Sequence, residues 1–239
     1  MSRLRTILSL GALALTPALP AHAGGKFAPP KGCEVYVTVQ MRSCQVSHHY
    51  RCAGSDDGDQ WAAYLDGEGP FYVSRIDAET RWMESWDLIT GETDKLLSEA
   101  DPASFTVLLN TGRDDYDFRT ESSTGEIRRF AGFDELTGET VVIDGVPLEV
   151  TKFDLTAYSE DGTMIWRRTG NQFISREWRI FWSDKELFEN AAGDKVDTLS
   201  TPVKFEQPGD KGFLAAEPVY DCEAMMTEAQ AAARPKDGS

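Results

Sequence analysis

The sequence predicts a mainly β protein: a single antiparallel meander curled into a barrel or a strongly bent half-barrel sheet, with a few short helices. Three observations lead there. Short runs of β-branched and aromatic residues are separated by turn dipeptides at Asp66-Gly67, Thr90-Gly91, Thr124-Gly125, Thr137-Gly138, Asp144-Gly145, Asp161-Gly162 and Gly170-Asn171, the pattern of hairpin-linked strands. The turns recur at irregular gaps, which suits a meander and not a solenoid. Ten or more antiparallel strands must hide their edges, so closure or strong curling follows, and either leaves a concavity.

The chain opens on Arg3 and Arg5, an apolar stretch over residues 7–19, and Ala21-His22-Ala23. This reads as a secretory signal peptide cleaved after Ala23, which makes the mature protein periplasmic or extracellular. The apolar stretch is short for a bilayer and no second run of about 18 apolar residues follows, so no membrane span is expected. Without residues 1–23 the chain keeps 22 basic residues against 40 acidic ones, a formal charge of −18. Nucleic acids and anionic membranes bind through Lys and Arg, so an acidic chain is not read as a nucleic-acid protein. The remaining 216 residues suffice for one core,. They divide into a flexible lead-in over 24–32, one β-rich domain over 33–222, and a short helix with a frayed tail over 223–239.

Residues 33–52 read as a β-hairpin turning at Arg42-Ser43. That register sets Cys33 opposite Cys52, Val35 opposite Tyr50, Val37 opposite His48, Val39 opposite Val46 and Met41 opposite Cys44, all on one face. Glu34, Tyr36, Thr38 and Gln40 then face Arg51, His49, Ser47 and Gln45 on a polar second face,. Four cysteines in an exported chain imply two disulfides. Facing strand residues meet the distance a disulfide needs, which pairs Cys33 with Cys52 and, by elimination, Cys44 with Cys222. The rival reading takes Cys44, His48 and Cys52 as metal ligands recurring every four residues. The Val-rich alternation and an oxidising compartment favour the disulfides, so no metal and no cofactor is expected.

Further strands are expected over residues 71–77, 81–88, 105–110, 116–122, 127–133, 140–143, 146–158 and 164–169. The clearest, 172–182, puts Ile174, Trp178, Ile180 and Trp182 on a dry face and Ser175, Glu177 and Arg179 on a wet one,. Within 146–158 the apolar phase changes between Val150 and Phe153, which calls for a bulge near Thr151 or Lys152. Helical signals are fewer. Ser183 to Glu186 resembles a capping box continued by Leu187, Phe188 and Ala191 to Gly193. Residues 94–100 read as a short helical turn and 223–233 as an alanine-rich helix.

Chemistry-bearing patterns are sparse. Downstream of residue 23 the histidines are His48 and His49, there is no Gly-x-Ser-x-Gly elbow, no phosphate-cradling glycine loop and no Cys-x-x-Cys,. No catalytic residue is assigned. Glu84, Asp154 and Glu177 lie in expected strands and are the named acids for a carboxylate-dependent hydrolase, while Asp114, Asp115 and Asp117 read as solvated acids beside a hairpin turn. Six tryptophans stand out. Trp82 and Trp86 share a strand face, as do Trp178 and Trp182, and large aromatic surfaces in a concave sheet suit an apolar ligand. The expected ligand-binding set is Trp82, Trp86, Ile174, Trp178 and Trp182. The leading expectation is thus a non-enzymatic exported binding protein holding an apolar ligand, a lipid chain or a partner segment. The alternatives are a cell-envelope protein-interaction module without a small ligand, and a carboxylate-dependent hydrolase.

Overall fold

The computed structural model describes residues 26–223; the expected signal peptide and the helix over 223–233 lie outside that range, except for Glu223. The described chain forms β1 (Cys33–Met41), β2 (Gln45–Cys52), β3 (Gln60–Asp66), β4 (Gly69–Ile76), β5 (Trp82–Asp87), β6 (Thr93–Asp101), α1 (Phe105–Thr111) and β7 (Arg113–Ser122). It continues through β8 (Ile127–Ile143), β9 (Val146–Ser159), β10 (Met164–Ser175), β11 (Ile180–Asn190), β12 (Lys195–Leu199) and β13 (Pro202–Glu206). All 13 strands belong to one antiparallel sheet, in sequence order from β12 down to β1, with β13 added beside β1. No helix among the described residues is long and apolar enough to cross a membrane.

The sheet is curled and not closed into a barrel. Its two edge strands, β12 and β13, are consecutive in the chain and joined by Ser200 and Thr201. From Leu199 to Pro202 an extended chain spans at most about 11 Å, so the curl must bring the two edges together at one corner. That corner is pinned: Arg42 N–H donates to the Thr201 carbonyl (2.9 Å), Ser200 N–H to the Asp184 carbonyl (2.9 Å) and Thr201 Oγ1 to Asp184 Oδ1 (2.5 Å).

Both expected disulfides, Cys33–Cys52 and Cys44–Cys222, are formed, which is compatible with an exported protein and consumes the thiols of the metal-ligand alternative. The hairpin register holds only for its first three pairs. A bulge at Tyr36 shifts it, so that Val37 faces His49, Thr38 faces His48, Val39 faces Ser47, Gln40 faces Val46 and Met41 faces Gln45. The extra residue inverts the phase of β1. Val35 packs with Val46, Tyr50 and Leu65 on the outer face, and Val37, Val39 and Met41 turn into the core with Leu148, Val150, Trp182 and Phe205.

The outer face is dry as well. Gln40 donates to the Glu217 carbonyl (3.0 Å) and accepts from Val219 N–H (3.1 Å), Thr38 Oγ1 accepts from Leu214 N–H (3.1 Å), and Phe27 stacks on His48 with ring centroids 4.2 Å apart. The segments on either side of the sheet are therefore laid over β1 and β2. His48 is fully buried there and His49, on the inner face against Trp182, is fully buried as well, and burial lowers their pKa to about 4 and about 3. Each stays a neutral imidazole. The Trp182 indole N–H donates to His49 Nε2 at 3.2 Å, which leaves the His49 proton on Nδ1.

Several expected elements are corrected. Among the described residues there is one helix, and it occupies 105–111, where a strand was expected. The Ser104 hydroxyl accepts from Val107 N–H and Gly112, at φ 85°, ends the turn by donating to the Leu108 carbonyl, so capping outweighs the β-branched composition,. Phe105 and Leu108, one turn apart, bury their side chains. Residues 94–100 and 183–190 are strand instead of helix, because β6 pairs with β5 and β7 and β11 pairs with β10 and β12, and ladder partners on both sides override local propensity,. The expected strand 172–182 is a hairpin. Arg179, at φ 50°, donates to the Ser175 carbonyl (2.9 Å), and Ser175 pairs with Ile180. Thr137-Gly138 and Gly170-Asn171 are irregularities inside β8 and β10, not turns. The bulge expected near Thr151 or Lys152 is absent from β9 and lies on its neighbour instead: Leu136 pairs with Thr151 and Thr140 with Glu149, so the extra residues stand on β8 opposite Val150 while β9 runs straight.

Because β9 runs straight, its apolar phase change means that the sheet buries opposite faces in its two halves. Leu148 and Val150 join Phe173, Ile180 and Trp182 against β1 and β13, whereas Phe153, Leu155 and Ala157 join Tyr116, Phe118 and Phe130 on the other face. Helix α1 covers the second face near the hairpin end, where Phe105 and Leu108 meet Ile174 and Phe181.

Candidate functional site

A cavity of about 100 Å³ opens on this second face, between α1, the start of β5 and the floor formed by β7, β8 and β9. Its position follows from alternation along β7. Asp114, Tyr116, Phe118, Thr120 and Ser122 are buried on one side, and Arg113, Asp115, Asp117 and Arg119 lie on the other. The neighbouring strands continue the rows: Asp114 faces Asp134, which faces Phe153, and Tyr116 faces Gly132, which faces Leu155. A Cβ on Gly132 would stand 2.0 Å from the Asp154 carbonyl oxygen, so the close approach of β9 requires glycine at this point of the floor,.

The rim is aromatic. Trp82 is 46% exposed, yet its ring meets Phe118 and Phe130 edge-on at 5.6 Å each. It forms a wall of the cavity with Phe105, Phe118 and Phe181. Next to it Arg81 is held by Asp77 (Nε to Oδ2, 2.7 Å) and Glu99 (3.0 Å), so this guanidinium is already neutralised. Thr80, also in the lining, takes a left-handed φ of 64°, a strained backbone for a β-branched residue.

Two carboxylates stand at the base. Asp114 is 6% exposed and accepts one hydrogen bond there, from Ser104 N–H to Oδ2 at 2.7 Å. Asp134, directly across the ladder, is half-buried and has no hydrogen-bond partner among the described residues. Burial raises the Asp134 pKa to about 7, and the charge of Asp114 adds to this. Burial likewise raises Asp114 to about 6; the Ser104 N–H opposes the rise and Asp101, Asp115 and Glu79 reinforce it. The Tyr116 hydroxyl is pushed up by burial and by Asp134 and Asp114. Near neutral pH the pair therefore keeps about one proton between its two carboxyls, as like charges in a low-dielectric site require.

No family model, curated protein or solved structure matches this chain. The site accordingly stands on its own geometry. Of the five residues expected to bind ligand, Trp82 lines the cavity. Trp86 sits further along β5, facing Val73 and Thr93. Ile174 is 1% exposed beneath α1. Trp178 and Trp182 lie on the opposite face of the sheet, packed on each other and on Phe205 at 5.1–5.8 Å, so the tryptophan set is divided between two cores.

The acids fare similarly. Glu84 pairs with Lys95 (3.0 Å), Asp154 with Arg167, and Glu177 is exposed, so these three are held apart. Asp115 and Asp117 face outward in ion pairs with Arg113 (2.6 Å) and Arg129 (2.5 Å), but the reading of Asp114 as a solvated acid is overturned by its burial. A signal for it was present: the alternation of Tyr116, Phe118 and Thr120, extended back by two, puts Asp114 on the same side. Asp134 is in phase with Phe130 in the same way. That the two carboxylates face each other depends on the β7–β8 register, which no local pattern prints.

Chemically, the arrangement offers an apolar aromatic wall, a net negative base and a carboxyl pair that exchanges a proton near neutral pH. Such a pair holds a cation, donates a hydrogen bond from its protonated member, or acts as general acid and base.

Proposed function

We propose that this protein is exported and acts as a non-enzymatic binding protein, taking the apolar end of a ligand into the cleft behind Trp82. The exposed tryptophan forming a wall of an aromatic-lined cavity is the observation that carries the reading, since a large exposed indole over a concave site is a recurrent feature of recognition surfaces,. The cavity volume of about 100 Å³ equals roughly three waters,. That admits the tip of a ligand and not the length of a lipid chain, because pockets that engulf whole ligands run to about 300–1,000 Å³. Export is supported by the N-terminal pattern of Arg3, Arg5 and Ala21-His22-Ala23 together with the two disulfides.

The test is to express the whole chain in a bacterial host, purify it from the periplasm without detergent, and record native mass spectra before and after denaturation. A chain beginning at Gly24, carrying a small-molecule mass that is lost on denaturation and absent from Trp82→Ala, is expected. An uncleaved intracellular chain, or a bound mass retained by Trp82→Ala, overturns the proposal. A second reading, carboxylate-dependent hydrolysis, draws on the facing Asp114 and Asp134. It requires turnover that both Asp114→Asn and Asp134→Asn abolish, and a panel of glycoside and ester substrates left intact by the wild type removes it.

A further inference from the structure

Taking the cleft behind Trp82 as the binding site, we infer that its ligand is a primary alkylammonium, with the apolar stem against Trp82 and the Phe118 ring and the ammonium between Asp114 and Asp134. The proposal rests on that reading of the cleft and adds the charge of the occupant.

The charged and titratable groups around the cavity leave few other choices. From the turn before β5 come Glu79 and Arg81, from β6 Glu99 and Asp101, from β7 Asp114 and Tyr116, and from β8 Asp134, while Thr80, Ser104 and Gln172 add neutral polar groups to the lining. The cations are already engaged: Arg81 with Asp77 and Glu99, and the nearby Arg179 with Glu79 at 2.9 Å. Asp114 Oδ1 and both oxygens of Asp134 receive no hydrogen bond among the described residues. Acceptors without donors, at the base of an aromatic-walled cavity, are the complement of a group that brings only donors. An ammonium brings three donors and a positive charge. Its attraction to the π faces of the wall adds to its attraction to the carboxylates. An anion would meet two carboxylates, and a neutral alcohol would leave one of them uncompensated. The small volume, about 100 Å³, favours a compact ammonium over the broad guanidinium fork,. Binding in this way displaces the proton that the pair holds near neutral pH, so affinity must rise with pH.

Isothermal titration of the full mature chain with n-butylammonium, n-butanol and Nα-acetyl-lysinamide tests this at pH 8 and pH 5. Expected are butylammonium binding at least tenfold tighter than butanol at pH 8, at least tenfold weaker butylammonium binding at pH 5, and at least a tenfold loss of butylammonium affinity in Asp134→Asn that exceeds any change for butanol. If Nα-acetyl-lysinamide binds as well, a lysine side chain is a competent source of the ammonium. If butylammonium alone binds, the source is a free amine. Equal binding of butanol and butylammonium, independent of pH and of Asp134→Asn, overturns the cation while leaving the cleft reading in place. If neither probe binds, and Trp82→Ala leaves the native mass spectrum unchanged, both fall together.

Discussion

Replacing Asp134 by asparagine is expected to make the protein more stable, and the gain is expected to depend on pH. In the unfolded chain the carboxyl titrates near its ordinary 3.8, while in the fold burial and Asp114 raise it to about 7. The sign follows from linkage: a raised folded pKa leaves the acid harmless below pH 3.8 and makes it a growing burden as the pH climbs through 7. The asparagine side chain is neutral throughout and escapes that burden. A shift from 3.8 to about 7 corresponds to about 4 kcal/mol at pH 8 and about 2 kcal/mol at pH 5,. Asp134 is only half-buried, so solvent screening brings the pH 8 gain to about 2–4 kcal/mol. Urea unfolding followed by tryptophan fluorescence at the two pH values reads the difference directly. A variant less stable than wild type at pH 8, or a gain that fails to shrink by pH 5, refutes the account of the acid pair. Carboxylates kept at a stability cost are common where a protein binds or reacts, because the strain is what the ligand relieves.

Three other outcomes follow from the fold. His48 and His49, with folded pKa values lowered to about 4 and about 3, contribute stability that is full above about pH 6.5 and is lost as the pH falls below it, each by about 2 kcal/mol at pH 5; their ring proton NMR signals should stay unshifted from pH 8 to 5, and a midpoint near 6.5 for either contradicts this. Gly132→Ala places a Cβ 2.0 Å from the Asp154 carbonyl oxygen and should cost about 2–3 kcal/mol, read as a lowered urea midpoint that an unchanged midpoint would disprove. Removing Cys44–Cys222, whose residues are 178 apart, should cost about 5 kcal/mol, and removing Cys33–Cys52, 19 apart, about 3 kcal/mol,; double-serine variants compared by thermal melting in the reverse order of stability would count against the loop-closure account.

The sequence by itself determined what depends on neighbours along the chain. Alternating runs such as Tyr116, Phe118 and Thr120 mark a strand wherever it lies, glycine after a polar residue marks turns at Asp144-Gly145 and Asp161-Gly162, and Cys33 with Cys52 closes its own hairpin. The antiparallel meander and the need to curl were legible from these. Tertiary structure decided everything that depends on which surface a strand shows to a distant one. One extra residue at Tyr36 turned Val37, Val39 and Met41 from one face of β1 to the other. A straight β9 beside a bulged β8 divided the sheet into two halves with opposite buried faces, sending Trp182 to one core and Trp82 to another. Asp114 and Asp134, twenty residues apart, face each other only through the β7–β8 register. Side-chain direction in a strand has a period of two, so a single inserted residue reverses every contact beyond it, and where insertions are absorbed is set by the packing of the whole sheet.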